Sequence, residues 1–184
     1  MQKLILSILA IICFFSSKAQ NEFNEFKEIA DAHFEKHEFT EAEKAYEAAL
    51  NFDNSEYVEN KLIECQSLIR ASQFYKEGRY SESLNLFKSL KSNSYALYHF
   101  AYQLYKGLGV ESDLGKAASY AEQADILGYS EAQALYLEIK NKQTEENQKD
   151  SNQEFYYLME KCKRALKNND HKTALEYFRQ AEKV

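Results

Sequence analysis

Compact residues recur seven apart at four places along this chain, and that pattern limits the fold more than any other feature. The pairs are Ala42 and Ala49, Ser83 and Leu90, Ala117 and Ala124, and Ala174 and Ala181, with Leu90 as the one bulky exception. Tyr46, Phe87 and Phe178 lie four residues after the first member of their pairs, and Phe39 and Tyr80 lie three before it. Successive first markers are 41, 34 and 57 residues apart. A small side chain at a helix contact lets two helices approach closely. A spacing of this size matches a helical hairpin, and one such hairpin buries only one face by itself. The chain therefore reads as stacked helical hairpins.

The periodicity between the markers agrees. From Asn24 onward apolar residues return every three or four positions and never in sustained alternation, which is the amphipathic helix period. Phe26, Ile29, Ala30 and Phe34 mark the first helix, and Phe39 to Leu50 the second. Further helices are expected near 55–76, 81–91, 94–106, 113–127, 130–142, 154–167 and 171–182, about nine in all. Thr40 with Glu43, and Ser130 with Gln133, have capping-box spacing. The stretch 143–153 is polar and reads as a linker or a frayed helix extension, leaving 154–184 as a terminal hairpin.

Composition closes off the main alternatives. There is no Pro, and Gly occurs five times in 184 residues. Sandwiches and barrels need many tight turns built from those residues, so an all-α fold is expected. A Gly-rich phosphate loop is excluded on the same ground. The first 19 residues stand apart. Lys3 precedes an apolar run from Leu4 to Phe15, and Ser17 and Ala19 have the spacing of a signal-peptidase cut. The run is shorter than the ~20 residues a membrane span needs. An exported protein is expected, with a periplasmic or extracellular destination and no membrane span in the mature chain. Residues 20–184 hold 21 Lys and Arg against 29 Asp and Glu, a net charge of −8. Such a surface repels nucleic acid and anionic lipid. Cys65 and Cys162 are too few for a disulfide framework.

The marker residues resemble those of tetratricopeptide repeats. Phe26, Ile29, Ala30, Phe39, Ala42, Tyr46, Ala49 and Leu50 follow that pattern, with His33 where the family usually has Tyr. Ala71, Gly78, Tyr80, Ser83 and Phe87 follow it again, as do Leu158, Cys162, Ala165, Ala174, Phe178 and Ala181. Residues 94–128 are similar to a Sel-one-like repeat. There Ala96, Phe100, Ala101 and Leu104 lead to a Gly107-x-Gly109-Val110 turn, followed by Asp113, Lys116, Ala117, Tyr120, Ala124 and Gly128. The resemblance covers 23–142 and 155–184. It implies an α-solenoid that binds proteins or peptides and carries no catalytic activity and no cofactor.

Candidate chemistry is sparse. His33 and His37 have i, i+4 spacing, which on one helix face could hold a metal. Both also sit at framework or turn positions, and Glu35 between them fits neither common zinc-protease spacing. A small metal-dependent hydrolase is therefore the weakest of three readings, and no catalytic or metal residue is assigned.

The stronger pattern is aromatic. With Ala96, Phe100, Ala101 and Leu104 in the core, Tyr95, Tyr98, Tyr102 and Tyr105 share an adjoining stripe. By the resemblance this face lines a concave groove. The equivalent face holds Lys27, Asp31 and Phe34, then Leu68, Ser72 and Tyr75, then Tyr156, Met159 and Leu166. Tyr offers apolar area and a hydrogen-bonding tip at low ordering cost. A helical aromatic stripe also packs cores, so the stripe alone leaves both roles open. Asp31 stands where a carboxylate clamp of the family has Asn, which argues against an acidic C-terminal peptide as ligand. The second reading is a structural adaptor that stacks its terminal hairpins on a larger envelope assembly.

Overall fold

The structure is a computed structural model that describes the backbone of residues 2–184 and the side chains of residues 17–184. Side chains 1–16, and with them most of the expected leader, lie outside the described residues. The chain is all-α, with eight helices and no strand among the described residues. They are α1 (Gln2–Glu35), α2 (Phe39–Leu50), α3 (Glu56–Lys76), α4 (Tyr80–Ser89), α5 (Ser94–Lys106), α6 (Leu114–Ile126), α7 (Ala132–Lys167) and α8 (His171–Ala181). Each helix packs on its neighbours in the chain, and α5 also meets α7.

Five helices end in the same left-handed turn. His37, Gly78, Gly107, Gly128 and Asn169 have φ of 61°, 75°, 70°, 86° and 58°. After each, the next amide donates five residues back: Glu38 to the His33 carbonyl, Arg79 to Phe74, Leu108 to Gln103, Tyr129 to Ala124 and Asp170 to Ala165, at 2.9–3.0 Å. This motif satisfies the carbonyls that a helix end leaves free and reverses the chain. Gly adopts the conformation without strain, whereas His37 and Asn169 carry side chains there.

Helix starts depart from expectation. Neither Thr40 nor Ser130 is a cap. α2 begins at Phe39 after Glu38, which makes no side-chain cap bond, and Ser130 donates to Glu131. The chain reverses too tightly at His37 to leave Thr40 outside the helix. Caps instead come from Asn93, Asp113 and Asp170, whose side chains accept from the amides of Ala96, Lys116 and Thr173.

The largest departure is α7. The helices expected over 130–142 and 154–167 are one, because 143–152 continues the helix. That stretch has no Gly or Pro to break it, and the good helix formers Gln, Glu and Lys fill five of its ten positions. The described helices therefore number eight rather than about nine. The start of α7 buries Ala132, Leu135 and Ile139, and its end buries Leu158, Cys162 and Ala165. Between them it is solvated.

The compact markers do pack. Ala42, Ala49, Ser83, Ala117, Ala124, Ala174 and Ala181 are all buried. Tyr46 and Phe87 fill the core beside them, but Phe178 is 42% exposed, on a helix that packs against α7. Ser83 also joins three helices: its hydroxyl donates to the Ala71 carbonyl of α3 and accepts from Gln103 Nε2 of α5, both at 2.9 Å. Cys65 and Cys162 are free buried thiols in different clusters. Burial pushes the Cys65 thiol up to about 12, so it stays protonated and inert.

Candidate functional site

The aromatic stripe of α5 lies beside α3, α4 and the turns at His37 and Tyr129, with clefts opening at Tyr95 and at Tyr75 and His99. Tyr95, Tyr98 and Tyr102 are half-buried, as is Tyr75 of α3. Tyr98 and Tyr102 stack at 6.5 Å between ring centroids, the spacing of one helical turn. Tyr95 lies 4.2 Å from His99 and edge-on to Phe39 at 5.1 Å. Tyr75 reaches His99 at 6.0 Å, and Phe87 stacks flat on the same imidazole at 5.2 Å. His37 joins from the α1–α2 turn, 5.6 Å from Tyr95 and 5.1 Å from Tyr129. Tyr129 in turn lies 4.6 Å from Tyr98. Residues far apart in sequence thus form one continuous ring surface.

Three of the expected groove residues belong to the core instead. Leu68 is fully buried, and Phe34 and Tyr105 are each 7% exposed. Phe34 packs edge-on against Phe39 beneath the Lys61 ammonium. The Tyr105 hydroxyl donates to Glu138 of α7 at 2.8 Å, so α7 covers that end of the stripe. Tyr156 and Met159 depart in another way. They sit in the later part of α7, where Tyr156 is 69% exposed and pairs with Phe155. The groove residues that do assemble are Tyr75, Tyr95, Tyr98 and Tyr102.

His99, His37, Tyr129 and Phe87 complete the cluster and were not expected in it. His99 is the one with a readable signal, since it lies about one helical turn from both Tyr95 and Tyr102. Tyr129 and His37 are turn residues, and no helical period points to them.

The imidazoles are held neutral. Burial depresses His99 to about 4, with the nearby His37 adding to the effect and the Glu131 carboxylate opposing it. Burial also lowers His37, against Glu131 and Glu35. A depressed His pKa means that the unfolded chain takes up a proton which the folded chain refuses. The stabilising contribution is therefore complete above pH 6.5, declines as pH falls from 6.5 to 4, and levels below that. For His99 the loss is on the order of 3 kcal/mol. Urea unfolding across this range should show that slope, and His99→Phe should flatten it. An unchanged slope in the variant would refute the assignment.

Away from the aromatic surface, Asp31 of α1 accepts from Lys27 Nζ at 2.8 Å, from the Tyr46 hydroxyl at 2.6 Å and from the Tyr57 hydroxyl at 2.8 Å. Burial alone would raise its carboxyl, but the three donors outweigh that and hold it below the usual range. Lys27 is thus occupied within the protein and does not offer a free cation to a carboxylate ligand. His33 Nδ1 meets Glu38 Oε2 at 2.6 Å, and His37 lies past the end of α1, so the two imidazoles do not share a helix face. Among the described residues no group of three or more His, Cys, Asp or Glu side chains comes together as for a metal. No helix among them is long and apolar enough to cross a membrane.

No family model matches the chain, and neither a curated protein nor a solved structure is similar to it.

Proposed function

We propose that this chain is an exported α-solenoid of tetratricopeptide-like hairpins with a Sel-one-like central unit, and that it binds a protein segment across its Tyr-lined concavity. The observation that carries the reading is the row of half-buried rings on α3 and α5, at Tyr75, Tyr95, Tyr98 and Tyr102. Tyr95 packs edge-on against Phe39 and Phe87, His99 meets Tyr75, Tyr95 and Tyr98, and Tyr102 stacks on Tyr98, which holds the row in place before a partner arrives. Rigid aromatics of this kind lose little entropy on binding and gain from desolvation. The helix order supports the solenoid, since contacts run between chain neighbours. The same composition argues against nucleic acid as the partner.

The test is a photo-reactive group at Tyr102 in the mature protein, cross-linked in the native envelope. One dominant protein adduct is expected. Tyr98→Ala with Tyr102→Ala should then weaken that partner by roughly 30-fold or more, the range of aromatic hot spots, without changing the circular dichroism. Retained affinity would reject the groove. The export part predicts a mature N-terminus at Gln20, read by intact mass of the secreted chain. An uncleaved Met1 terminus would reject it.

A second reading is favoured by one observation. Leu166, Leu175 and Phe178 leave 42–49% of their surface exposed on the α7–α8 hairpin. This hairpin (154–184) carries seven Lys and Arg against five Asp and Glu, whereas residues 20–54 carry three against ten. A basic, apolar end of this kind suits a structural adaptor stacked on a larger acidic assembly. Adducts from a probe at Lys172, with none at Tyr102, would select this reading.

A further inference from the structure

Beside the aromatic stripe, α3, α4 and α5 enclose a cleft of about 220 Å³ lined by Ser72, Tyr75, Lys76, Phe87, Tyr95 and His99. Apolar cavities of about 150 Å³ take up benzene, so this space suits one aromatic ring with a substituent. Its walls are built for a ring. Phe87 lies parallel to His99 within 16°, Tyr95 is tilted against it at 4.2 Å, and Tyr75 closes the far side. The polar groups are not all spent. Ser72 Oγ and the Tyr95 hydroxyl satisfy each other at 3.1 Å. His99, by contrast, draws on no hydrogen bond within the protein. Its nitrogens are also not sealed into the core, where Gln103 Oε1 is the unpaired side-chain atom among the described residues. A neutral imidazole with no hydrogen-bond partner in the protein therefore lines a ring-sized cleft.

We propose that this cleft binds a single planar aromatic ring bearing an N–H or O–H donor, an indole or a phenol, with the donor directed at a ring nitrogen of His99. The ring lies among Tyr75, Phe87 and Tyr95, where edge and face contacts favour it over an aliphatic group of equal size. The donor is selected because a ring without one leaves the imidazole unpaired as water is expelled. The ring belongs either to a Trp or Tyr side chain of the partner segment or to a free small molecule. The first source rests on the groove reading and extends it by naming the residue class that anchors the partner.

The experiment titrates the full chain with indole, 4-methylphenol and toluene while following the Tyr95 and His99 ring resonances by NMR, with Tyr95 as the reporter where His99 is replaced. Indole and 4-methylphenol should saturate with a Kd of about 1 mM, and toluene should bind at least roughly ten-fold more weakly. Ser72→Leu fills the cleft and should abolish the response. His99→Phe keeps the ring packing and should bring toluene level with 4-methylphenol. Because it does not alter the wall volume much, it serves as the test if Ser72→Leu fails to fold. Absence of saturation, or equal binding of toluene and 4-methylphenol to the unaltered chain, would overturn the proposal. Loss of the Tyr102 adduct when cross-linking is carried out in excess indole would identify a partner side chain as the ring. Saturation without that loss would identify a small molecule. If no probe binds while the Tyr102 adduct persists, the cleft proposal fails and the groove stands. Probe binding with no adduct would remove the groove and leave the cleft.

Discussion

Gly109→Ala should unfold this protein at a temperature about 10 °C lower than the unaltered chain. Gly109 has φ of +75°, and a Cβ at that position would lie 2.6 Å from both Ser81 N and Tyr80 C at the start of α4. Those atoms are backbone and cannot swing aside. The Gly109 carbonyl also accepts from Ser81 Oγ at 3.2 Å, which fixes the α5–α6 turn against α4. Left-handed strain and the forced separation together amount to roughly 3–4 kcal/mol. For a chain of this size each kcal/mol moves the midpoint by about 2–4 °C. Gly78 has the same φ, yet a Cβ there would meet nothing within 4 Å. Gly78→Ala should therefore cost only about 1 kcal/mol. Equal effects at the two sites would show that the turn does not rest on α4.

Asp31→Ala should cost about 2–3 kcal/mol in urea unfolding at pH 7. The Tyr46 ring is fully buried, and its hydroxyl has Asp31 as its acceptor. Removing the carboxylate leaves that hydroxyl in the core without a partner and releases Tyr57 and Lys27 at the surface. Hydrogen bonds to a charged group contribute about 1.5–3 kcal/mol, and part of this is screened here because Asp31 is partly solvated. Tyr46→Phe should cost less, about 1–2 kcal/mol, since Asp31 keeps two donors. The double variant should cost less than the sum, because both changes break one shared bond. Acid supplies an independent check. The Asp31 carboxyl is held below its ordinary value of 3.8. Its contribution is therefore complete above that pH and is lost as pH falls through the lower folded-state value. Asp31→Ala should remove that acid-limb loss while leaving the higher-pH decline assigned to His99. Strict additivity of the two substitutions would refute the network.

Much of the helical framework was legible because it depends on local spacing. The three- and four-residue recurrence marked Phe39 to Leu50 and the α5 stripe, and the compact markers identified Ala42, Ala117 and Ala174 as close contacts, which are buried as that spacing requires. A run lacking Pro and Gly was also free to continue as helix through 143–152, but a polar run says nothing about whether something packs on it, so it read equally well as a linker. The left-handed residues divided in the same way. Gly78 declares itself, whereas His37 and Asn169 adopt the conformation only because the hairpins they close offset the strain. Which aromatics stay open was decided by the tertiary structure alone. Tyr102 and Tyr105 look alike along the helix, but α7 covers one of them and not the other. The meeting of His37 with Tyr129, and of Tyr75 and Phe87 with His99, depends on how successive hairpins turn relative to one another. That angle is set by the sum of many side-chain contacts, and no periodicity within a single helix encodes it.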